Sequence, residues 1–321
     1  MGSVASLLVL CACGAAVDPD APAWRRVSAA GPPARWGHAA VYDAARDRVL
    51  VYAGAGVHGE LADLWSFELA SETWTELPTS APPPARINPG AVLDTARDRF
   101  VIFAGRTGLT GTLGDAWALE LATLTWQQLP AGPQARQRPH AASDGAHAWF
   151  YGGEGTLARV FGDLWELDLA TDTWRQLPGD RARTCGAFAY VDGALVVTGG
   201  HGVASVDDST SRYELATRAW DRVSTHGSTA AATHRAFDFD RTSKRLWLAG
   251  GDHLDNYDTS LTDVLALDSQ QLARVTTANL PPVRDHATLV FDPIRGQLVL
   301  FGGSLGDGQS FLGDTWILPA R

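Results

Sequence analysis

Glycine pairs, or dipeptides that resemble them, recur six times along the chain at intervals of 47 to 52 residues. The six dipeptides are Ala53-Gly54, Ala104-Gly105, Gly152-Gly153, Gly199-Gly200, Gly250-Gly251 and Gly302-Gly303. Each one follows a short apolar stretch and precedes a loop and further short strand-like stretches. A repeat of about fifty residues that contains several short strands indicates a ring of small sheets and argues against a helical solenoid. The chain must therefore fold in six similar units.

The third repeat shows what one unit contains. Residues 140–143 lead through the turn Asp144-Gly145 into an apolar stretch at 146–151, which predicts a hairpin. After the glycine pair, residues 164–169 alternate between apolar and polar side chains, and residues 173–177 return before Pro178. Four antiparallel strands per repeat are typical of one propeller blade.

The two ends of the chain together complete the last unit. The sixth repeat stops after its third strand, near Leu318, and the outer strand that it lacks matches residues 24–27 at the other end. We therefore expect an all-β, six-bladed β-propeller over residues 23–321, with four antiparallel strands per blade. The N-terminal strand closes the last blade, which removes an exposed sheet edge.

The first residues predict export. Residues 1–13 are uncharged and too short to span a bilayer, and Leu10-Cys11-Ala12-Cys13 resembles a bacterial lipobox. This pattern predicts acylation of Cys13, a tether at 14–22 and a location at the bacterial cell envelope. A cleaved signal and secretion is the alternative. Mass spectrometry of the mature N-terminus distinguishes them, because an unmodified Cys13 or a free Gly14 contradicts lipidation.

Charge and residue types limit the partners. The formal net charge is −10, which argues against nucleic-acid binding through phosphate contacts. Membrane contact is expected only through the lipid anchor, and the protein is expected to be a monomer. No phosphate-binding loop or serine-nucleophile motif is present in the sequence, and no cofactor is predicted.

The apolar strand, the glycine pair and the spaced tryptophans of the outer strands, such as Trp126 and Trp174, resemble the kelch repeat. Tryptophan replaces the usual kelch tyrosine in the third strand, as at Trp65 and Trp165, which indicates a diverged branch. The chain looks closer to the bacterial, galactose-oxidase-like kelch group than to the ubiquitin-ligase adaptors. That resemblance implies a propeller, but its members include binding scaffolds, sugar-converting enzymes and copper oxidases.

An arginine precedes the first strand of each repeat. These residues are Arg35, Arg86, Arg138, Arg183, Arg235 and Arg284. The strand order places them around one mouth of the central channel, where guanidinium groups suit carboxylates, sulfates or phosphates. In the scaffolding kelch proteins that the chain resembles, arginines at the matching position can bind acidic peptides. The alternative is structural: each arginine pairs with a loop aspartate, from the set Asp63, Asp115, Asp163, Asp208, Asp263 and Asp314.

The loops after the glycine pairs differ from repeat to repeat, so they can build specificity at the same mouth. Their candidate ligand-binding residues are His58, Glu60, Arg106, Glu154, His201, Asp252, His253 and Asp255. Calcium binding by Asp252, Asp255 and Asp258 is weighed against a solvated polar loop, which the absence of an EF-hand spacing favours. A metal site is also possible near the axis, from His38, His140, His286 and Cys185, against the alternative of histidines bonded to the backbone.

These observations favour a non-catalytic binding module that holds a polar or anionic peptide or glycan at the channel mouth. One alternative is a sugar-converting enzyme that resembles the sialate mutarotases or, less favoured, a galactose-oxidase-like oxidase. The acid and base groups that a mutarotase needs could come from Glu60, Glu154, His58 or His201. A structural protein of a surface assembly is the other alternative. The sequence leaves catalysis open.

Overall fold

A computed structural model describes residues 21–109, 111–203, 205–227, 232–253, 259–306 and 309–320, which form six four-stranded antiparallel sheets. Each sheet is one blade, and its innermost strand packs beside the innermost strands of the two neighbouring blades. The six contacts close a ring around a central channel. The six-bladed propeller with four strands per blade is confirmed.

The strands are numbered by blade, and each blade is read from its inner to its outer edge. Blades one to three contain Ala39–Asp43, Arg48–Tyr52, Leu64–Glu68 and Thr73–Leu77; Gly90–Asp94, Arg99–Phe103, Ala116–Glu120 and Thr125–Gln128; His140–Ser143, His147–Tyr151, Leu164–Asp168 and Thr173–Leu177. Blades four to six contain Ala187–Val191, Ala194–Thr198, Thr210–Glu214 and Ala219–Val223; Ala236–Asp240, Arg245–Ala249, Thr262–Ala266 and Gln271–Val275; Thr288–Asp292, Gln297–Phe301, Thr315–Pro319 and Arg25–Arg26.

Short elements decorate the loops that follow the glycine pairs. They are the strand pairs Ala55–Gly56 with Gly59–Glu60, Arg106–Thr107 with Gly111–Thr112 and Ala232–Thr233 with Asp252–His253, and the 3-10 turn Thr156–Ala158. No helix among the described residues is long and apolar enough to cross a membrane.

The core lies between blades. The second strand of each blade is the most apolar, and in blades one and two all five of its residues are buried. One cluster joins Leu50 and Tyr52 of blade one to Phe100, Leu119 and Trp126 of blade two. Apolar burial at such junctions is the main force that holds a propeller together, because neighbouring blades share no backbone ladder.

The N-terminal strand closes blade six, as the repeat pattern predicts. Arg25 pairs with Ile317 and Arg26 with Trp316 in an antiparallel register. Trp24, which precedes this strand, is only 1% exposed and packs between blades five and six. The two ends of the chain are therefore joined through one sheet.

Candidate functional site

A repeated ion pair sits beside the channel in four blades. Arg86 is the example: it is fully buried, and its Nη1 and Nη2 donate to the two carboxylate oxygens of Asp115 at 2.8 and 2.9 Å. Nη1 also donates to the carbonyl of Ala104, the residue that opens the glycine-pair position, at 2.9 Å. The same arrangement joins Arg35 to Asp63, Arg136 to Asp163 and Arg284 to Asp314.

A tryptophan completes each of these four pairs. Trp117 Nε1 donates to Asp115 at 2.6 Å, and Trp65, Trp165 and Trp316 make the equivalent bond. The tryptophan that replaces the usual kelch tyrosine thus orients the aspartate. Burial raises the pKa of Asp115, but the hydrogen bond and charge of Arg86 and the bond from Trp117 outweigh it and keep that pKa low.

Blade five keeps the pair but moves it. Ala232 stands at the arginine position and Leu261 at the aspartate position, as the strand registers show. Arg235, three residues later, instead places Nη1 2.7 Å from Asp263. Both members have shifted along the chain, and Asp263 is buried. An arginine–aspartate pair is therefore retained at a new position in this blade.

Blade four departs in a different way. Arg183 is fully buried, and its Nη2 lies 3.3 Å from Asp207, whereas the expected partner Asp208 is exposed. The expected pairing with Asp208 is therefore wrong. The carboxylate comes from the preceding residue because Ser209 occupies the aspartate position, and Arg183 Nη1 accepts this change by donating to the Ser209 carbonyl at 3.2 Å.

These contacts decide the expected ring of arginines. Arg35, Arg86, Arg183 and Arg284 are at most 1% exposed, and Arg235 is committed to Asp263, so these guanidinium groups do not line the mouth. The structural alternative, pairing with a loop aspartate, describes them. Arg138 belongs to a different position of the repeat, because Arg136 makes the buried pair in blade three. Arg138 is the one of the six expected residues that reaches the channel.

Six residues form a ring at the channel mouth, each two residues before the innermost strand of its blade. This inner ring consists of Gly37, Asn88, Arg138, Cys185, His234 and His286. Every member has a positive φ, between 49° and 62°, so the backbone turns in the same way six times. A left-handed backbone at five residues that are not glycine is uncommon, and such strain often marks a functional site.

Main-chain hydrogen bonds join the inner ring across the blade junctions. The N–H of Asn88 donates to the carbonyl of Gly37 at 2.6 Å, and that of Arg138 to Asn88 at 2.9 Å. The N–H groups of Gly37 and His286 make the same bond to the preceding blade at 3.2 and 3.1 Å. Four of the six junctions are thus held by this bond. The ring is part of the rigid propeller, and its side chains are set at fixed positions.

Two opposite blades meet across this mouth. Arg138 Nη2 of blade three lies 3.1 Å from His286 Nε2 of blade six, and Arg138 Nη1 lies 3.3 Å from Glu154. Nδ1 of His286 is 3.0 Å from Asp285, so this imidazole donates to a carboxylate and accepts from a guanidinium. Burial and the neighbouring charge of His234 lower the pKa of His286 to about 4.

The neighbouring blades four and five contribute a thiol and two imidazoles. Cys185 Sγ and the ring nitrogens of His201 and His234 lie within 4.8 Å of one another. His234 stacks on His286, with ring centroids 4.1 Å apart, and its Nδ1 is 2.8 Å from Asp252. The expected metal group had included Cys185, but not His201 or His234.

The thiol is strongly polarised. Burial alone raises the pKa of Cys185, but the charges of His234 and Arg138 and hydrogen bonds from His201 and His234 lower it well below its usual range. Burial likewise lowers the pKa of His234, but the charge of Cys185 and the bond to Asp252 outweigh it and raise that pKa. The hydrogen bond to Cys185 is also the main cause that raises the pKa of His201. A thiolate beside imidazolium groups is the stable arrangement in this pocket.

Comparison with known proteins decides the family. A model of the KLHDC2/KLHL20/DRC7 Kelch-repeats domain matches residues 15–188, just over half of the chain. The chain belongs to the kelch-repeat family. Similar proteins include Adagio protein 3 of Arabidopsis thaliana, 29% identical over 36% of this chain and 19% of that protein. Adagio-like protein 3 of Oryza sativa subsp. japonica is 31% identical over 34% of this chain and 18% of that protein.

The chain matches less than a fifth of the length of these curated relatives. The likeness supports the kelch repeat itself, and a kelch propeller suggests a protein-binding module.

The central channel of this kelch propeller has a volume of about 590 Å³. Four inner-ring side chains, Arg138, Cys185, His234 and His286, lie at the end where the innermost strands begin, and Tyr42 and Tyr190 lie towards the other end. Most of the wall between them consists of small or apolar residues such as Ala40, so the polar groups are concentrated at the mouth.

Two of the histidines proposed for the axis lie within the blades of the kelch propeller. His38 Nε2 is 2.8 Å from Thr288 Oγ1. His140 Nε2 accepts from the Gly186 N–H at 2.8 Å, and its Nδ1 donates to the Tyr151 carbonyl at 3.0 Å. Burial lowers the pKa of His38 to about 3 and of His140 to about 4, so both are neutral. The alternative of histidines satisfied by neighbouring groups describes these two.

The loop candidates separate into two groups. Arg106, Glu154, His201 and Asp252 each follow a glycine pair directly and form isolated or short β-pairings with the residue before the inner ring. Glu60 accepts the Gly108 N–H at 3.0 Å, and His58 is exposed. The backbone of His253 pairs with Ala232, whereas Asp255 and Asp258 lie outside the described residues, as do Cys13 and the predicted export segment.

The sequence reasoning missed the inner ring as a set. Its signal was a fixed offset from the innermost strand, which could have aligned Asn88, Arg138, Cys185, His234 and His286. The search had followed the arginines, and residue identity varies at the ring position.

Proposed function

We propose that this kelch propeller is a binding module that holds an acidic segment of a partner protein at the inner-ring mouth. The observation that carries the proposal is a pair of arginines from adjacent blades, Arg106 and Arg138. Each is partly buried, and the Nε of each is buried without a hydrogen-bond partner among the described residues.

The two arginines sense each other. Burial and the charge of Arg138 lower the pKa of Arg106. Glu60 and Glu154 compensate in part, since their charges act in the opposite direction. An incoming carboxylate would accept from the free donors and relieve the repulsion, and guanidinium groups bind carboxylates in a forked geometry.

The family supports a protein as the partner, and the rigid ring supports recognition without a large change of shape. The four buried arginines have no role in this proposal, because their donors are used within the blades.

Arg138→Ala and Arg106→Ala are each expected to weaken binding of a glutamate- or aspartate-containing peptide by about 10- to 100-fold, the effect of losing a charge-assisted hydrogen bond. The measurement is fluorescence anisotropy with dye-labelled peptides that bind in an acidic peptide array. Gln and Asn versions of each peptide report on the carboxylate.

The matched control is Arg26→Ala, which removes an exposed arginine from the outermost strand of blade six. Its affinity should equal that of the parent chain. The proposal is contradicted if no array peptide binds, if Gln and Asn peptides bind as well as acidic ones, or if all three variants behave alike.

A further inference from the structure

Three side chains from separate segments converge at one side of the mouth. Cys185 belongs to the inner ring in blade four, His201 directly follows the glycine pair of that blade, and His234 belongs to the inner ring in blade five. Their sulfur and ring nitrogen atoms lie within 4.8 Å of one another, close enough for a small shift to bring all three onto a single ion. No functional role for this trio is included in the peptide-binding proposal.

The hydrogen bonds of both imidazoles leave the correct nitrogen available. His201 Nδ1 donates to the Gly202 carbonyl at 2.9 Å, and His234 Nδ1 donates to Asp252 at 2.8 Å. His234 Nε2 is buried and has no hydrogen-bond partner among the described residues. Imidazoles that ligate metals usually donate their other N–H to a carboxylate or a carbonyl, which fixes the tautomer.

Asp252 is itself held in place. Thr233 Oγ1 donates to Asp252 Oδ1 at 2.7 Å, and the short strand Ala232–Thr233 pairs with Asp252–His253. The carboxylate and the imidazole that it orients are therefore supported by backbone structure. This support is the feature that distinguishes a built metal site from a chance meeting of side chains.

The donor set selects the class of ion. One thiolate and two imidazoles suit a borderline-soft divalent ion, and zinc binds such ligands in tetrahedral geometry. We propose that Cys185, His201 and His234 bind one zinc ion whose fourth position faces the channel. Cys185 and His234 both line the channel, so this position is open to a water molecule or a ligand.

His286 is outside the ligand set. It stacks on His234, but its Nε2 faces Arg138 and its Nδ1 faces Asp285, so both ring nitrogens are engaged. The neighbouring arginine and histidine instead complete the wall beside the open position. The zinc proposal is independent of the peptide proposal, because it uses none of the donors of Arg106 or Arg138.

The test uses the full chain with Cys11→Ser and Cys13→Ser, which leaves Cys185 as its only thiol. Zinc affinity is measured by competition with a chromophoric chelator, and cobalt(II) serves as the spectroscopic probe. We expect one equivalent of either ion and a thiolate-to-cobalt charge-transfer band in the near ultraviolet. Added zinc should also protect Cys185 from alkylation by iodoacetamide.

The ligand variants are Cys185→Ser, His201→Ala and His234→Gln, and the control is His226→Ala, which changes an exposed histidine. Cys185→Ser should abolish the band. Asp252→Asn should weaken zinc binding by about 10- to 100-fold, as is typical of outer-shell partners, and each ligand variant should weaken it further. Circular dichroism of every variant shows whether the propeller remains folded.

Three results would overturn the proposal: a parent chain with no charge-transfer band, equal zinc affinity in the parent and in folded Cys185→Ser, or alkylation that zinc does not slow. The last result would instead favour a metal-free thiolate that His234 and Asp252 activate as a nucleophile. Loss of zinc binding in His226→Ala would also count against the assigned ligands.

Discussion

Replacing Arg86 with alanine is expected to lower the free energy of unfolding by about 3–5 kcal/mol, the cost of breaking a buried ion pair on one side. Arg86 is fully buried, and its loss strands the Asp115 carboxylate and the carbonyls of Ala104 and Pro84. Desolvated groups without partners carry the penalty, because water cannot replace the guanidinium inside the blade. Urea unfolding followed by tryptophan fluorescence measures the change.

The chain offers a matched exposed pair. Arg25 donates to Glu72 at 2.8 Å, but its side chain is 53% exposed, so Arg25→Ala should change stability by less than about 1 kcal/mol. Adding Asp115→Leu to an Arg86→Met variant should recover part of the lost stability, since the unpaired carboxylate is then gone. A folded Arg86→Ala variant of parental stability that loses a bound ligand would show that Arg86 faces a ligand.

The repeat made the propeller predictable, because each blade carries the same local signals and the two termini complete one blade. The glycine pairs, hairpin turns and alternating strands are short-range features, so they can be read without knowing which blades touch. The closing strand was also readable, since Trp24 matches the tryptophans that begin other outer strands, such as Trp126.

The arginine of blade three shows where the reasoning failed. A buried arginine lies 18 residues before the carbonyl of the glycine-pair position in blades one, two and six, and 16 before it in blades three and four. The difference arises because the hairpin turns at Asp144-Gly145 and Asp192-Gly193 are two residues shorter. Counting with that correction selects Arg136 and leaves Arg138 for the ring.

The cysteine–histidine cluster could not be deduced in the same way. His201 arrives from a loop, whereas Cys185 and His234 come from equivalent positions of adjacent blades, and their distance depends on how closely two blades approach at the axis. Only the ring geometry sets that distance. The residue types also differ at every inner-ring position except the two histidines, so no repeated letter marks the site.

Trp24→Ala is expected to cost about 3–5 kcal/mol of unfolding free energy, the usual range for deleting a large buried aromatic side chain. Trp24 is 1% exposed and packs against Trp247 of blade five and Leu318 of blade six, and its Nε1 donates to Thr262 Oγ1 at 3.2 Å. Its side chain therefore fastens the closing strand to both blades of the last junction. Trp24→Phe should cost less, because it retains most of the apolar contact.

The loss should also be local in a way that distinguishes closure from general packing. Once Trp24 is removed, the strand Arg25–Arg26 is expected to detach first, which exposes the edge of Thr315–Pro319. Amide hydrogen exchange should then accelerate at Ile317, whose neighbours lose their pairing, before it changes in blade three. Trp220→Ala in blade four is the comparison, since it should destabilise without selectively freeing Thr315–Pro319. If the two variants exchange alike, or if Trp24→Ala costs less than about 1 kcal/mol, the N-terminal strand does not secure the ring.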